Sequence, residues 1–256
     1  VWYRSKDGTR VPMFVMYKNG MQRDGSNPAL LTGYGGFNIS ELPNFSPLAV
    51  TWVENGGVYA LANLRGGGEF GEAWHRAGML ENKQNVFDDF EAAAQYLINQ
   101  HYTSAAHLAI SGGSNGGLLV TAFLTQRPDL VKAVVCSYPL IDMIRYQRFL
   151  VARFWVPEYG SSENPEQFQW IYAYSPYQHV VKGTTYPAVL FISGDADTRV
   201  APLHARKMTA LMQASGSPNP VMLRYHTSSG HSGGEPLKDQ VRDQAEILSF
   251  LEWQLK

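Results

Sequence analysis

The chain has 256 residues, of which 45% are hydrophobic, and this is enough to bury one large core. Its 21 basic and 22 acidic residues give a formal net charge of −1, which argues against a nucleic-acid or membrane-surface partner. No stretch reaches the roughly 18 apolar residues of a membrane span, and the first residues are not typical of a signal peptide. We therefore expect a cytoplasmic protein. The single cysteine, Cys136, excludes an internal disulfide, and its apolar neighbours predict a buried strand residue rather than a catalytic thiol.

Strand-like apolar runs alternate with helical patterns along the chain. The predicted strands are residues 11–18, 29–33, 58–63, 108–111, 133–137, 188–193 and 221–226. The predicted helices are residues 85–100, 116–125, 202–214 and 239–254. Several strands are almost continuously apolar, which is typical of a mainly parallel sheet covered on both faces. We therefore predict one α/β domain over residues 1–256, with a mainly parallel central sheet flanked by helices and a ligand site beyond the carboxyl ends of the strands.

Residues 140–176, here called the aromatic segment, interrupt this alternation. The aromatic residues of the segment are Tyr146, Phe149, Phe154, Trp155, Tyr159, Phe168, Trp170, Tyr172 and Tyr174. We predict that the segment is mostly helical and lies over the functional site.

The strongest local motif is Gly-Gly-Ser-Asn-Gly-Gly at residues 112–117, between a predicted strand and a predicted helix. A Gly-x-Ser-x-Gly pattern in this context is typical of the nucleophile turn of the α/β-hydrolase fold. The turn must be tight so that the serine hydroxyl projects into the site, and side chains on the flanking residues would clash. The pattern predicts that Ser114 is a nucleophile, with the helix N-terminus beside a developing oxyanion. A phosphate-binding loop would need a Gly-Lys-Ser/Thr ending, which is absent.

A serine nucleophile needs a general base and an acid that orients it, and in this fold the acid precedes the histidine along the chain. His231 lies in a glycine- and serine-rich loop after the last predicted strand, whereas His226 is within that strand and His204 is within a helix. We therefore predict His231 as the base. Asp195 and Asp197 both follow the preceding strand; spacing favours Asp197 only modestly, and Asp142 is a weaker third candidate.

The sequence resembles the peptidase domain of the prolyl oligopeptidase family over nearly its whole length. The matching segments are residues 33–38 (Gly-Tyr-Gly-Gly-Phe-Asn), 63–71 (Asn-Leu-Arg-Gly-Gly-Gly-Glu-Phe-Gly), 82–85 (Asn-Lys-Gln-Asn), 112–119, 126–130 (Gln-Arg-Pro-Asp-Leu) and 230–231 (Gly-His). The resemblance implies an endopeptidase of the α/β-hydrolase fold that cleaves short peptides after proline. It also implies that the acid is Asp197 and not Asp195.

The resemblance also implies roles for residues around the Ser114–His231–Asp197 triad. Tyr34 and the backbone N–H of Asn115 would donate to the oxyanion, and the Asn115 side chain would add a polar contact. Trp155 would stack on the substrate proline, and Arg199 would hydrogen-bond a substrate carbonyl. The remaining pocket residues implied are Phe37, Tyr159, Val200 and Leu140, the last standing where the family is expected to have a smaller valine. No metal or organic cofactor is expected.

The chain differs from the family in its extent. The family carries a β-propeller before this domain and packs an N-terminal segment on the hydrolase, and neither is present among these 256 residues. Because the sequence opens on Val1, we interpret it as a mature product or an excised piece of a longer chain. The expected partners are short proline-containing peptides, together with a missing propeller domain or a self-association partner. The alternatives are an esterase or broader serine hydrolase, a weakly active excised catalytic domain, and a non-catalytic binding module.

Overall fold

Eight strands form a single sheet in the part of the chain that the computed structural model describes, residues 1–227, 229–231 and 236–256. The strands are β1 (Trp2–Arg4), β2 (Arg10–Met16), β3 (Ala29–Gly33), β4 (Val58–Ala62), β5 (Leu108–Gly113), β6 (Ala133–Ser137), β7 (Ala188–Gly194) and β8 (Val221–His226). Their order is β1-β2-β4-β3-β5-β6-β7-β8. Pairing is antiparallel at β1–β2 and β2–β4 and parallel from β4 to β8. The prediction of a mainly parallel α/β-hydrolase sheet is confirmed.

Helices cover both faces of this sheet. They are α1 (Pro47–Glu54), α2 (Glu72–Arg76), α3 (Gln84–Asn99), α4 (Asn115–Gln126), α5 (Val156–Tyr159), α6 (Pro165–Tyr174), α7 (Leu203–Gln213) and α8 (Leu237–Leu255). Apolar residues of α1 and α8 pack on one face, and those of α3, α4 and α7 pack on the other. Strand side chains alternate between two cores, as a two-sided sheet requires: Leu30 lies in one and Leu31 in the other. No helix in the described ranges is long and apolar enough to cross a membrane.

The sequence missed three short or isolated elements. Strand β1 has only three residues, and α2 has five, so neither shows a measurable periodicity. Helix α1 did carry a start signal: the Ser46 hydroxyl accepts a hydrogen bond from the Ala49 N–H, and Pro47 occupies the first turn. Cys136 is buried in β6 as predicted, and burial raises the pKa of its thiol.

The aromatic segment is less regular than predicted. It contains 3₁₀ turns at Tyr146–Arg148 and Ala152–Trp155 and the four-residue helix α5, and only α6 reaches ten residues. Pro157 and Pro165 limit continuous helix, because proline is tolerated only in the first turn. Ser228 and residues 232–235, part of the predicted loop around His231, lie outside the described residues.

A buried ion pair attaches the loop after β4 to α3. The Arg65 guanidinium donates to both carboxylate oxygens of Asp89, with Nη2 at 2.6 Å from Oδ1 and Nε at 3.0 Å from Oδ2. The Arg65 backbone N–H also donates to Asp89. On the turn after β1, Asp7 Oδ2 accepts a hydrogen bond from Arg65 Nη1 at 2.5 Å. One arginine therefore connects the β1–β2 turn, the β4 loop and α3.

Asp89→Ala is expected to lower the free energy of unfolding by about 3 kcal/mol, because it removes the buried partner of Arg65 and leaves only the exposed Asp7 carboxylate beside the buried charge. Denaturant unfolding followed by circular dichroism measures the change. Asp88→Ala is the matched control, since Asp88 neighbours Asp89 on α3 and, within the part of the chain that the structure describes, hydrogen-bonds only the Gln84 side chain one helical turn away. Equal losses in the two variants would contradict a specific contribution from the ion pair.

Candidate active site

Ser114 lies on a tight turn between β5 and α4. Its backbone has φ 58° and ψ −118°, a conformation that non-glycine residues rarely adopt. The Ser114 N–H donates to the Ser137 carbonyl on the neighbouring strand at 2.9 Å, and its own carbonyl accepts from Gly117 at 2.9 Å. The turn is thus fixed from both sides, and it presents the serine at the carboxyl edge of the sheet.

The glycines of the motif are required by close backbone packing. A Cβ on Gly112 would lie 2.2 Å from the Gly116 carbonyl oxygen, and one on Gly117 would lie 2.6 Å from Pro139 Cβ. Gly113 differs, because a Cβ there would have its nearest neighbour at 3.5 Å. Steric exclusion therefore explains why residues 112 and 117 carry no side chain, as the sequence motif predicts.

Asp197 and His231 contact each other at the same edge of the sheet, in the loops that follow β7 and β8. His231 Nδ1 lies 2.8 Å from Asp197 Oδ2, and the Asp197 side chain is completely buried. The other carboxylate oxygen accepts the backbone N–H groups of Arg199 and Val200, both at 2.8 Å. A carboxylate held by two N–H groups and directed at one imidazole nitrogen fixes the orientation of that ring.

The other candidate acids lie elsewhere. Asp195 is exposed and accepts a hydrogen bond from the Tyr225 hydroxyl. Asp142 is buried, but it accepts from Arg145 Nε at 2.8 Å and from Gln178 Nε2 at 2.9 Å, and it pairs with Lys207. Both carboxylates are committed to structural contacts, so Asp197 is the candidate acid that the structure brings to His231.

The other histidines considered are also in structural positions. Nδ1 of buried His204 lies 3.1 Å from the Asp142 backbone nitrogen, and burial lowers the pKa of His204 to about 4. His226 Nε2 lies 3.1 Å from Asp243 on α8. His204 and His226 therefore contact residues other than Asp197.

Tyr138 joins the two halves of the site, and sequence reasoning missed it. It directly follows Ser137, which accepts the Ser114 N–H, and its ring lies edge-on to the His231 ring with centroids 5.8 Å apart. Its φ of 47° is again unusual for a non-glycine residue. A positive φ in such a residue is not visible in a sequence pattern, so no signal marked this position.

Tyr34 and Asn115 border Ser114 as the resemblance implies. The Tyr34 phenol lies beside the Ser114 side chain; burial raises the pKa of the phenol, while the Ser114 hydroxyl and the Arg199 charge act in the opposite direction. The phenol is therefore a protonated donor at neutral pH. Asn115 begins α4, and the first N–H groups of a helix have no intrahelical acceptor. Both groups can donate to a developing oxyanion.

The Asn115 side chain has a different role from the expected substrate contact. It is buried, donating from Nδ2 to the Tyr34 carbonyl at 2.6 Å and accepting at Oδ1 from the Tyr159 hydroxyl at 2.7 Å. These bonds occupy it inside the protein. Only the backbone N–H of Asn115 remains a candidate group for the substrate.

Three of the predicted pocket residues form one aromatic cluster. The Phe37 ring packs edge-on against Trp155, with centroids 6.4 Å apart, and against Tyr159 at 5.5 Å. Tyr159 is fully buried, whereas Phe37 and Trp155 are partly exposed. Leu140 and Val200 are buried in the core on which this cluster packs. Phe37 and Trp155 therefore present an accessible apolar surface, here called the aromatic wall, and the buried Tyr159 ring packs behind it.

Arg199 is exposed, and its backbone rather than its guanidinium contacts Asp197. No carboxylate of the described residues forms an ion pair with this guanidinium. The side chain is therefore available to solvent near Tyr34, whose pKa its charge lowers.

Comparisons with known proteins show the family of this chain. Residues 43–256 match the pattern described as the Prolyl oligopeptidase family. The chain belongs to this family. The prolyl oligopeptidase family resemblance drawn from the motifs is thus confirmed, and the family is one of serine-type peptidases.

Individual relatives match the chain almost from end to end. A prolyl endopeptidase from Elizabethkingia meningoseptica is 46% identical over 252 residues, which make up 98% of this chain and 36% of that protein. A solved prolyl endopeptidase structure has a TM-score of 0.98 and 53% identity, covering 100% of this chain and 38% of the other. The solved structure of a post-proline cleaving enzyme from Rickettsia typhi has a TM-score of 0.96 and 40% identity, covering 100% of this chain and 37% of the other. The chain thus spans between 36% and 38% of the length of these relatives.

Gly112→Ala is expected to lower the free energy of unfolding by about 1–3 kcal/mol, because the added methyl group would overlap the Gly116 carbonyl. The reactivity of Ser114 toward a fluorophosphonate should fall with it. Gly113→Ala is the matched control, since its methyl group meets only ordinary contacts. Thermal unfolding and labelling of both variants check the expectation, which fails if the two behave alike.

Proposed function

We propose that the chain is the catalytic part of a serine endopeptidase that cleaves short peptides on the carboxyl side of proline, with Ser114, His231 and Asp197 as its triad. The observation that carries the proposal is the 2.8 Å contact between His231 and fully buried Asp197, at the sheet edge that also carries the Ser114 turn. A buried carboxylate, an oriented imidazole and a strained serine are the three groups that acyl transfer requires.

The proposed reaction has two steps. His231 donates its Nδ1–H to Asp197, so its other ring nitrogen is free to take the Ser114 proton as the hydroxyl oxygen attacks the peptide carbonyl. Asp197 stabilises the resulting imidazolium. The same proton then passes to the leaving amine as the C–N bond breaks, leaving an acyl-enzyme. A water molecule, deprotonated by His231, releases the acid and regenerates Ser114.

Two donors would stabilise the tetrahedral intermediates. The Tyr34 phenol and the Asn115 N–H border Ser114 from different elements, the loop after β3 and the first turn of α4. Both are fixed by internal hydrogen bonds before substrate arrives, so they need little reorganisation during the reaction. Removing one such donor typically costs about 3–4 kcal/mol of transition-state stabilisation.

Preference for proline is proposed from the aromatic wall. Phe37 and Trp155 offer flat, apolar, partly exposed faces, and a rigid pyrrolidine ring fits such a slot. Arg199 is proposed to hydrogen-bond a substrate carbonyl nearby. The names of the relatives, prolyl endopeptidase and post-proline cleaving enzyme, support the same substrate class.

Asp197→Asn is expected to lower kcat for a chromogenic peptide anilide by roughly 10⁴-fold, because the amide favours the wrong imidazole tautomer. Asp195→Asn should stay close to the unmodified chain, since Asp195 is exposed and contacts Tyr225 instead. Ser114→Ala should abolish fluorophosphonate labelling. Steady-state kinetics at constant pH measure the first pair, and a larger loss in Asp195→Asn than in Asp197→Asn would refute the assignment.

Trp155→Ala is expected to lower kcat/KM for an anilide with proline before the cut by roughly 30-fold, equivalent to about 2 kcal/mol of lost apolar contact. For the same peptide with alanine in place of proline, kcat/KM should fall much less in Trp155→Ala. Phe154→Ala is the control, because this adjacent aromatic side chain is 68% exposed. If proline and alanine substrates decline equally in Trp155→Ala, the residue does not determine the preference.

A further inference from the structure

Lys83 is a buried cation beneath the candidate active site, and the mechanism above does not use it. Its residue is 1% exposed, between a short 3₁₀ turn and α3. Burial lowers the pKa of its ammonium to about 8, so the group remains predominantly charged at pH 7. Burying a charge is costly unless nearby groups stabilise it, and the identity of those groups indicates what the charge does.

The Lys83 ammonium contacts Asn115 and Gly35, the residue after Tyr34, so it binds next to both residues that border the oxyanion position. Its Nζ donates to the Gly35 carbonyl at 2.8 Å, directly after Tyr34, and to Asn115 Oδ1 at 3.3 Å. The Asn115 amide in turn donates to the Tyr34 carbonyl. Lys83 therefore cross-links the loop that carries the phenol donor to the helix that carries the N–H donor.

Glu158 is the countercharge, and it reaches the aromatic wall. Its Oε1 lies 4.0 Å from Lys83 Nζ and accepts the Phe37 backbone N–H at 2.9 Å, holding Phe37 in its unusual φ of 58°. Its Oε2 lies 2.8 Å from His75 Nε2 on α2. The Tyr159 ring, on the residue after Glu158, lies 5.3 Å from the Lys83 ammonium. One buried ion pair thus contacts both the oxyanion side and the pocket side of the site.

We infer that Lys83 and Glu158 are positioning residues, which hold the Tyr34 and Asn115 donors and the Phe37 wall in their catalytic arrangement and act mainly on the transition state. The inference rests on the proposed function. Neither residue touches the reacting atoms. A displaced donor weakens the oxyanion interaction, which develops during the reaction, more than it weakens ground-state binding of the peptide.

The inference predicts a loss in kcat rather than in KM. Lys83→Met removes both donated hydrogen bonds, and it is expected to lower kcat for the proline anilide by roughly 100-fold, with KM changing less than about 3-fold. Fluorophosphonate labelling of Ser114 should slow by a similar factor, because the phosphonyl oxygen uses the same donors. Lys182→Met, at an exposed lysine, is the control and should match the unmodified chain.

A double variant tests whether the two charges act as one unit. Glu158→Gln keeps an acceptor for the Phe37 N–H but leaves Lys83 without its countercharge, and it should lower kcat by about 10-fold. When Glu158→Gln is combined with Lys83→Met, kcat should fall little further than in Lys83→Met alone, because the Lys83 charge that Glu158 balances is already gone. Multiplicative losses would overturn the inference. Glu158→Gln is nearly isosteric, so it carries the test alone if Lys83→Met fails to fold.

The outcomes separate this inference from the function beneath it. All variants are compared at pH 7 with their thermal midpoints, and a fall in kcat without a change in KM supports positioning. An unmodified chain that reacts with the fluorophosphonate but shows no proline preference overturns the proposed specificity, and labelling rates still test Lys83. An unreactive chain overturns both. A reactive chain whose rates are unaffected by Lys83→Met overturns the inference alone.

Discussion

A serine with φ 58° and ψ −118° persists only where the packing around it fixes the turn on both sides. Here β6 accepts the Ser114 N–H, the first turn of α4 begins at the next residue, and backbone atoms approach Gly112 and Gly117 too closely for any side chain. The strain is therefore stabilised by the central strands and the most buried helix of the fold. This is why the proposed nucleophile lies in the middle of the sheet, while the proposed acid and base follow strands further along it.

The N-terminal half of α3 organises the other side of the site through two buried cations. Asp89 in this helix holds Arg65 of the loop after β4, and Lys83, just before the helix, holds Gly35 of the loop after β3. Loops leaving parallel strands have no ladder partners, so their backbone groups must be satisfied in other ways. Arg65 and Lys83, which each carry several donors, form such bonds at the loops after β4 and β3. The bond from Lys83 to Gly35 also holds the neighbouring Tyr34 in position.

The sequence predicted the features that follow from apolar runs and from steric exclusion. Seven strands were located within a few residues, and the glycines around residue 114 predicted the tight turn that carries this serine. The burial of individual charged residues could not be derived from the sequence in the same way. Asp195 and Asp197 follow β7 two residues apart, and only the three-dimensional structure gives one of them two backbone N–H donors and a histidine. Lys83 lay inside a recognised motif, yet a lysine is ordinarily exposed, so sequence gave no reason to assign it a role.

The aromatic wall and the proposed oxyanion donors are held by the same neighbouring side chains, and this has a consequence for the proposed catalysis. Tyr159 stands behind Phe37 and donates to Asn115, while Glu158 accepts from Phe37 and faces Lys83. A substrate ring that presses on the wall therefore acts on side chains that also hold the donors. With proline bound at this wall as proposed, binding energy from the ring can be used in the transition state, so that a well-fitting residue would raise kcat as well as lower KM. In a site with independent supports, the same contact would lower KM alone.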